Sequence, residues 1–146
     1  MLTKVFCVGC LFISTLAIAA DFPPPAQAEL TKLSGKWRIV STERDGQSEA
    51  KPAEPTLVQI EEDRVLLNGK EVGLRITMLA VESQPKLIDI SHPETKKTLE
   101  GIYELKEEEW RICLNTEGEG ARDRPSDFKT AGKVKFVTIL LKRDKD

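Results

Sequence analysis

From Lys36 to Arg143 apolar residues recur at alternate positions in short runs, and each run is closed by Gly, Pro, Asn, Asp or a cluster of charges. Side chains alternate across a β-strand, so a period of two marks a strand with one buried face; an amphipathic helix needs apolar residues three and four apart. The pattern predicts about eight strands. They run Lys36 to Glu43, Thr56 to Glu61, Arg64 to Leu67, Glu71 to Val81, Lys86 to Ser91, Thr98 to Leu105, Glu109 to Asn115 and Lys133 to Arg143. Asn68-Gly69 between the third and fourth is the strongest hairpin signal, because both central residues of a type I′ turn need positive φ. Consecutive strands on short turns form an up-and-down meander, which leaves two open edges unless it closes on itself. The expected fold is therefore an all-β, up-and-down antiparallel barrel.

The loops give the barrel two unlike ends. The turns at 62–63, 82–85 and 106–108 are short, whereas the loops at 44–55 and 116–130 are long, and both long loops leave the same end. Long loops in compact domains are commonly lids or binding elements. Alternation predicts an inward-facing set of Trp37, Ile39, Val58, Ile60, Leu74, Ile76, Met78, Tyr103, Trp110, Ile112, Phe136 and Leu140. A barrel of this size either fills with side chains or holds one small ligand. The candidate lining of such a cup is Trp37, Ile39, Ile76, Met78, Tyr103, Trp110 and Phe136. At its mouth Arg122-Asp123-Arg124-Pro125-Ser126-Asp127-Phe128 is the most distinctive loop. Arg122 and Arg124 are candidates to clamp an anionic group; alternatively the loop is structural and Phe128 anchors it to the barrel.

The N-terminus predicts export. Lys4 precedes an uncharged apolar run, Val5 to Leu16, and Ala17-Ile18-Ala19 supplies the small residues of a cleavage site, with cleavage after Ala19 or Ala20. The run is too short for an ordinary membrane-spanning helix. Residues 1–19 are thus a signal peptide and 20–29 a stiff Pro-rich linker; 30–146 are the barrel domain, entered through a short helical turn at Glu29 to Leu33. Cys7 and Cys10 fall inside the signal, which leaves Cys113 as a small buried hydrophobe in its strand.

A formal net charge of -2 gives no cationic field for nucleic acid. His92, the single histidine, ends a strand at His92-Pro93 without the partners a triad or zinc site needs. The carboxylates Glu61-Glu62-Asp63 and Glu107-Glu108-Glu109 sit in solvated turns, unlike a general acid in a pocket. Asn115, Glu117 and Glu119 alternate as calcium ligands do, but Ser126 stands where a closing acid belongs. No catalytic residue, metal or cofactor is expected.

Leu33-Ser34-Gly35-Lys36-Trp37 resembles the Gly-x-Trp entry of lipocalins. The ordered set that adds Glu43-Arg44-Asp45-Gly46, Gly101-Ile102-Tyr103-Glu104-Leu105, Arg111-Ile112-Cys113-Leu114, Arg124-Pro125-Ser126-Asp127-Phe128 and Leu140-Leu141-Lys142-Arg143 is similar to a family of uncharacterised exported proteins best known from planctomycete bacteria. That resemblance implies a lipocalin-like fold and supplies no activity. In a closed barrel the first and last strands are neighbours, which sets Arg143 over the Trp37 indole as a barrel-closing pair. The expected function is a non-catalytic exported binding protein, periplasmic or secreted, with a cup for a small apolar or amphipathic molecule. The alternative is a solid barrel that contacts an envelope protein.

Overall fold

A computed structural model of the chain describes residues 21–49, 54–117 and 123–145. The expected signal peptide lies outside them. One helix, α1 (Pro24–Leu33), precedes β1 (Gly35–Arg44), β2 (Gln47–Ser48), β3 (Leu57–Glu61), β4 (Arg64–Leu67) and β5 (Lys70–Ala80). Then follow β6 (Lys86–His92), β7 (Lys97–Lys106), β8 (Glu109–Asn115) and β9 (Phe136–Arg143). Every neighbouring pair is antiparallel, and β1 also pairs with β9, so the meander closes as the alternation predicted. The short β2 is an extra strand that folds back on β1 through Glu43↔Ser48 and Arg44↔Gln47. Asn68 and Gly69 carry φ of 49° and 76°, the hairpin geometry their sequence requires.

The Pro-rich segment is no extended linker. Pro23 caps α1, and prolines occupy its first turn, where their missing N–H groups have no intrahelical acceptor in any case. Ala, Gln, Glu, Leu and Lys then propagate the helix. Its buried residues Ala26, Glu29, Leu30 and Leu33 form one face that joins the barrel core, so the folded unit starts before residue 30. α1 closes the end where the short turns lie: Phe22, Gln27, Leu30, Thr31 and Ser34 border the Glu62–Asp63 turn. Pro23, Pro25 and Ala26 border residues 79–83.

The closure is held at one knot. Trp37 and Arg143 are register partners, the guanidinium lies 3.9 Å from the indole centroid, and it donates to Ser34 O at 2.7 Å and Lys32 O at 2.6 Å. Trp37 Nε1 donates to Leu33 O at 2.8 Å. The last carbonyls of α1, which have no partner inside the helix, are thus satisfied by the first and last strands. Gly35 turns the chain from α1 into β1 with φ of 115°, and a Cβ there would lie 3.1 Å from Arg143 Nη1. Gly35→Ala should strain the turn and push the guanidinium off Trp37, lowering stability by about 1–2 kcal/mol in chemical denaturation.

Three inward assignments are overturned. A bulge between Ile76 and Met78 shifts the alternation by one, so Met78 pairs with outward-facing Asp89 and Leu79 enters the core opposite Ile88. On β9 the register pairs Val137 with Leu114, Ile139 with Ile112 and Leu141 with Trp110, which sends Phe136 and Leu140 to the outer face. β9 is apolar on both faces because Phe136 is itself covered by a loop, so period two alone gave no phase there.

Candidate functional site

The inward-facing side chains fall into two levels. Near α1 the barrel is filled. Trp37 and Trp110 meet edge to face with ring centroids 5.6 Å apart, and Ile60, Ile76, Ile88, Tyr103 and Leu141 are buried around them. This is a solid floor, not a pocket lining. None of the five recesses described on the surface has Trp37, Trp110, Ile76 or Tyr103 among its walls. Of the candidate lining residues, Trp37, Ile76, Tyr103 and Trp110 come together as this floor, Ile39 stands above it, and Met78 and Phe136 lie outside.

Toward the opposite end burial relaxes. Ile39, Leu67, Leu74, Leu99 and Ile139 pack against the core on its inner side yet remain partly exposed. They come from β1, β4, β5, β7 and β9, so they ring the barrel rather than mark one side. Ile39, Leu67, Leu74 and Leu99 lie beyond buried residues of their own strands, toward the end away from α1, whereas Ile139 lies between buried Leu141 and Val137. Of the five only Ile39 was singled out as lining; Leu99 and Ile139 were legible in principle, since each stands an even number of residues from a core position, Tyr103 and Leu141.

Basic positions continue the inward rows to the rim. Lys70 is the register partner of inward-facing Leu67, Lys97 is the partner of His92 beyond Leu99 and Ile90, and Arg44 is the partner of Val137. Arg44 pairs with Glu49 at 3.3 Å. His92 accepts from the Thr95 N–H through Nδ1 at 3.3 Å and lies over Gly73, where a Cβ would fall 2.6 Å from Nε2. It is half-buried and structural in this setting.

The loop expected at the mouth lies elsewhere. From residue 123 onward it covers the outer wall of β6 to β9. Arg124 donates to Ile88 O at 3.1 Å and Gly101 O at 2.8 Å and pairs with Asp89 at 2.7 Å. Its guanidinium is committed to the wall and does not clamp an anion at the mouth. Arg122 and Glu119 lie outside the described residues. Phe128 packs with Ile102, Cys113 and Phe136 and stacks under Arg111, 4.5 Å from ring centroid to guanidinium. Thr130 fastens the loop base to the β1–β2 turn, donating to Glu43 Oε1 at 2.6 Å and accepting from Gly46 N at 2.9 Å. Asn115 likewise spends its amide within the loop, on Asp123 O at 2.9 Å and Glu117 N at 3.0 Å. Among the described residues no group of His, Cys, Asp and Glu is arranged to hold a metal ion.

Burial pushes the Cys113 thiol above its ordinary value, so it is a poor nucleophile beneath Phe128. Phe128→Ala should uncover it: the rate of thiol labelling by an aromatic disulfide is expected to rise at least about tenfold, as local opening becomes easier.

Beneath α1, Glu29 is 4% exposed and receives Lys86 Nζ at 2.7 Å and the Tyr103 hydroxyl at 3.3 Å. Burial alone would raise the carboxyl, but the hydrogen bond and charge of Lys86, aided by Lys32, outweigh it and hold the group below 4.5. Burial, with the Glu29 charge and hydrogen bond, pushes the Tyr103 phenol well up, so it stays a donor. A depressed carboxyl stabilises the fold above its unfolded value and ceases to do so as pH falls through the lower, folded value. Glu29→Gln should therefore cost about 1–2 kcal/mol at neutral pH. The gap from the parent should narrow as pH drops below 4.5, read by denaturant titration at a series of pH values.

Comparison with protein-family models, with curated proteins and with solved structures finds no match for this chain. No helix among the described residues is long and apolar enough to cross a membrane.

Proposed function

We propose that the protein is a non-catalytic, exported binding protein that takes a small apolar or amphipathic molecule at the mouth of its barrel. The observation that carries this reading is the gradient of burial along the inward rows. Along β1, β4, β5 and β7 burial falls from Trp37 (0% exposed), Val65 (6%), Ile76 (0%) and Tyr103 (1%) to the partly exposed Ile39, Leu67, Leu74 and Leu99. Partly exposed apolar residues at the ends of the inward rows are the material of a shallow ligand cup. Export rests on the signal-like segment before residue 20 and on the resemblance to exported proteins.

A solid interaction module is the second reading, favoured by the packed floor. It has little apolar surface to offer: Val134, 66% exposed, is the one large hydrophobe standing fully out among the described residues.

Titration with the neutral dye N-phenyl-1-naphthylamine tests the cup. Saturable blue-shifted emission is expected, lost in Leu99→Arg. A flat response, or one untouched by Leu99→Arg, contradicts the cup and leaves the interaction module.

A further inference from the structure

We propose that a recess beside α1, at the closed end of the barrel, binds a small molecule through an oxyanion group, phosphate or carboxylate, held by Lys32 and Arg143. This site stands apart from the mouth and does not depend on the cup.

The recess measures about 390 Å3 and is lined by Glu29, Lys32, Lys86, Leu105, Glu107 and Arg143. Small ligands are commonly held in volumes of about 300–1,000 Å3. The lining comes from α1, β6, β7, β9 and the turn between β7 and β8. Its charges do not cancel. Three cations face two carboxylates, and Glu29 is engaged by Lys86 at 2.7 Å, with Lys32 more distant at 3.5 Å. Only Glu107 remains to balance Lys32 and Arg143. Arg143 has no carboxylate partner among the described residues. Its two terminal nitrogens donate to Ser34 O and Lys32 O, and its face lies on Trp37. Those contacts fix the guanidinium without neutralising it. A half-buried cation held in this way loses little side-chain freedom when an anion arrives, unlike a mobile surface lysine. The carbonyls at the end of α1 would repel an anion, but Trp37 and Arg143 already donate to them. Lys32 stands in the last turn of α1 with its side chain 68% exposed, able to swing onto a ligand. Leu105 offers the rest of the ligand an apolar wall.

Titration with sodium phosphate and with sodium acetate, each against sodium chloride at matched ionic strength, tests the site, with the Arg143 Nε–H resonance as reporter. A saturable shift with a dissociation constant of about 1–10 mM is expected for at least one of the two anions, and the tighter one identifies the group the recess prefers. Lys32→Gln should weaken that binding about fivefold, and Glu107→Gln should tighten it about fivefold. Both side chains are exposed, so an unchanged thermal melt is expected and shows that each variant is folded. A shift that sodium chloride alone reproduces, binding of neither anion, or affinities that fail to move in opposite directions in the two variants overturns the site.

Discussion

Trp37→Ala is expected to destabilise the barrel by about 3–5 kcal/mol, the range for deleting a large buried aromatic side chain. Three functions leave with one side chain. The indole fills the floor against Trp110, its N–H satisfies Leu33 O, and its face carries the Arg143 guanidinium that bridges the last strand to the end of α1. Trp110 gives the control. It is equally enclosed, but its Nε1–H has no hydrogen-bond partner among the described residues. Trp37→Phe would leave the buried carbonyl of Leu33 without its donor, whereas Trp110→Phe removes an unsatisfied donor. The first should cost about 1–3 kcal/mol more than the second. Guanidinium denaturation of the three variants reads the order directly, and equal losses in Trp37→Phe and Trp110→Phe would remove the hydrogen bond from the explanation.

Gly101→Ala should be nearly as damaging, at about 3 kcal/mol. A Cβ at residue 101 would stand 2.4 Å from the carbonyl oxygen of Cys113 and 2.6 Å from Leu114 Cδ2. The first of these is backbone of the paired strand, so relief requires β7 and β8 to separate where Gly101 and Leu114 are partners. The same carbonyl-bearing segment receives Arg124, which donates to Gly101 O. Movement there should also loosen the outer loop. Gly101→Ala is expected to show a lower thermal midpoint together with faster labelling of Cys113; a parent-like melt would mean that the two strands approach less closely than described.

The barrel was legible because closure depends on average alternation and on turn residues, and neither needs a correct phase in each strand. Asn68-Gly69, the Gly35-to-Trp37 entry and the terminal Arg143 all stand where local chemistry puts them. Phase failed where the backbone inserts a residue. The bulge beside Ile76 turns Met78 outward, and hydrophobicity registers no bulge because Met78 and Leu79 are both apolar. It failed again at Phe136, where an outer wall that looks like core is core to a loop. α1 was hidden by its prolines, which are as compatible with a helix start as with an extended linker; what decides is the apolar face of Ala26, Leu30 and Leu33 that follows. The site was half legible. The inward rows could be read, but the level at which packing stops could not, since filling depends on volumes across the barrel rather than along the chain. Arg124 illustrates the same limit: only the folded chain brings it to two strand carbonyls and Asp89.

Methyl-resolved NMR during titration with dodecanoate bears most directly on a solid floor beneath an apolar mouth. Methyl resonances of Ile39, Leu67, Leu74 and Leu99 should move together and saturate, while the indole N–H signals of Trp37 and Trp110 stay in place. Shifts centred on the two indoles, or a titration that moves no mouth methyl, would contradict that division of the barrel.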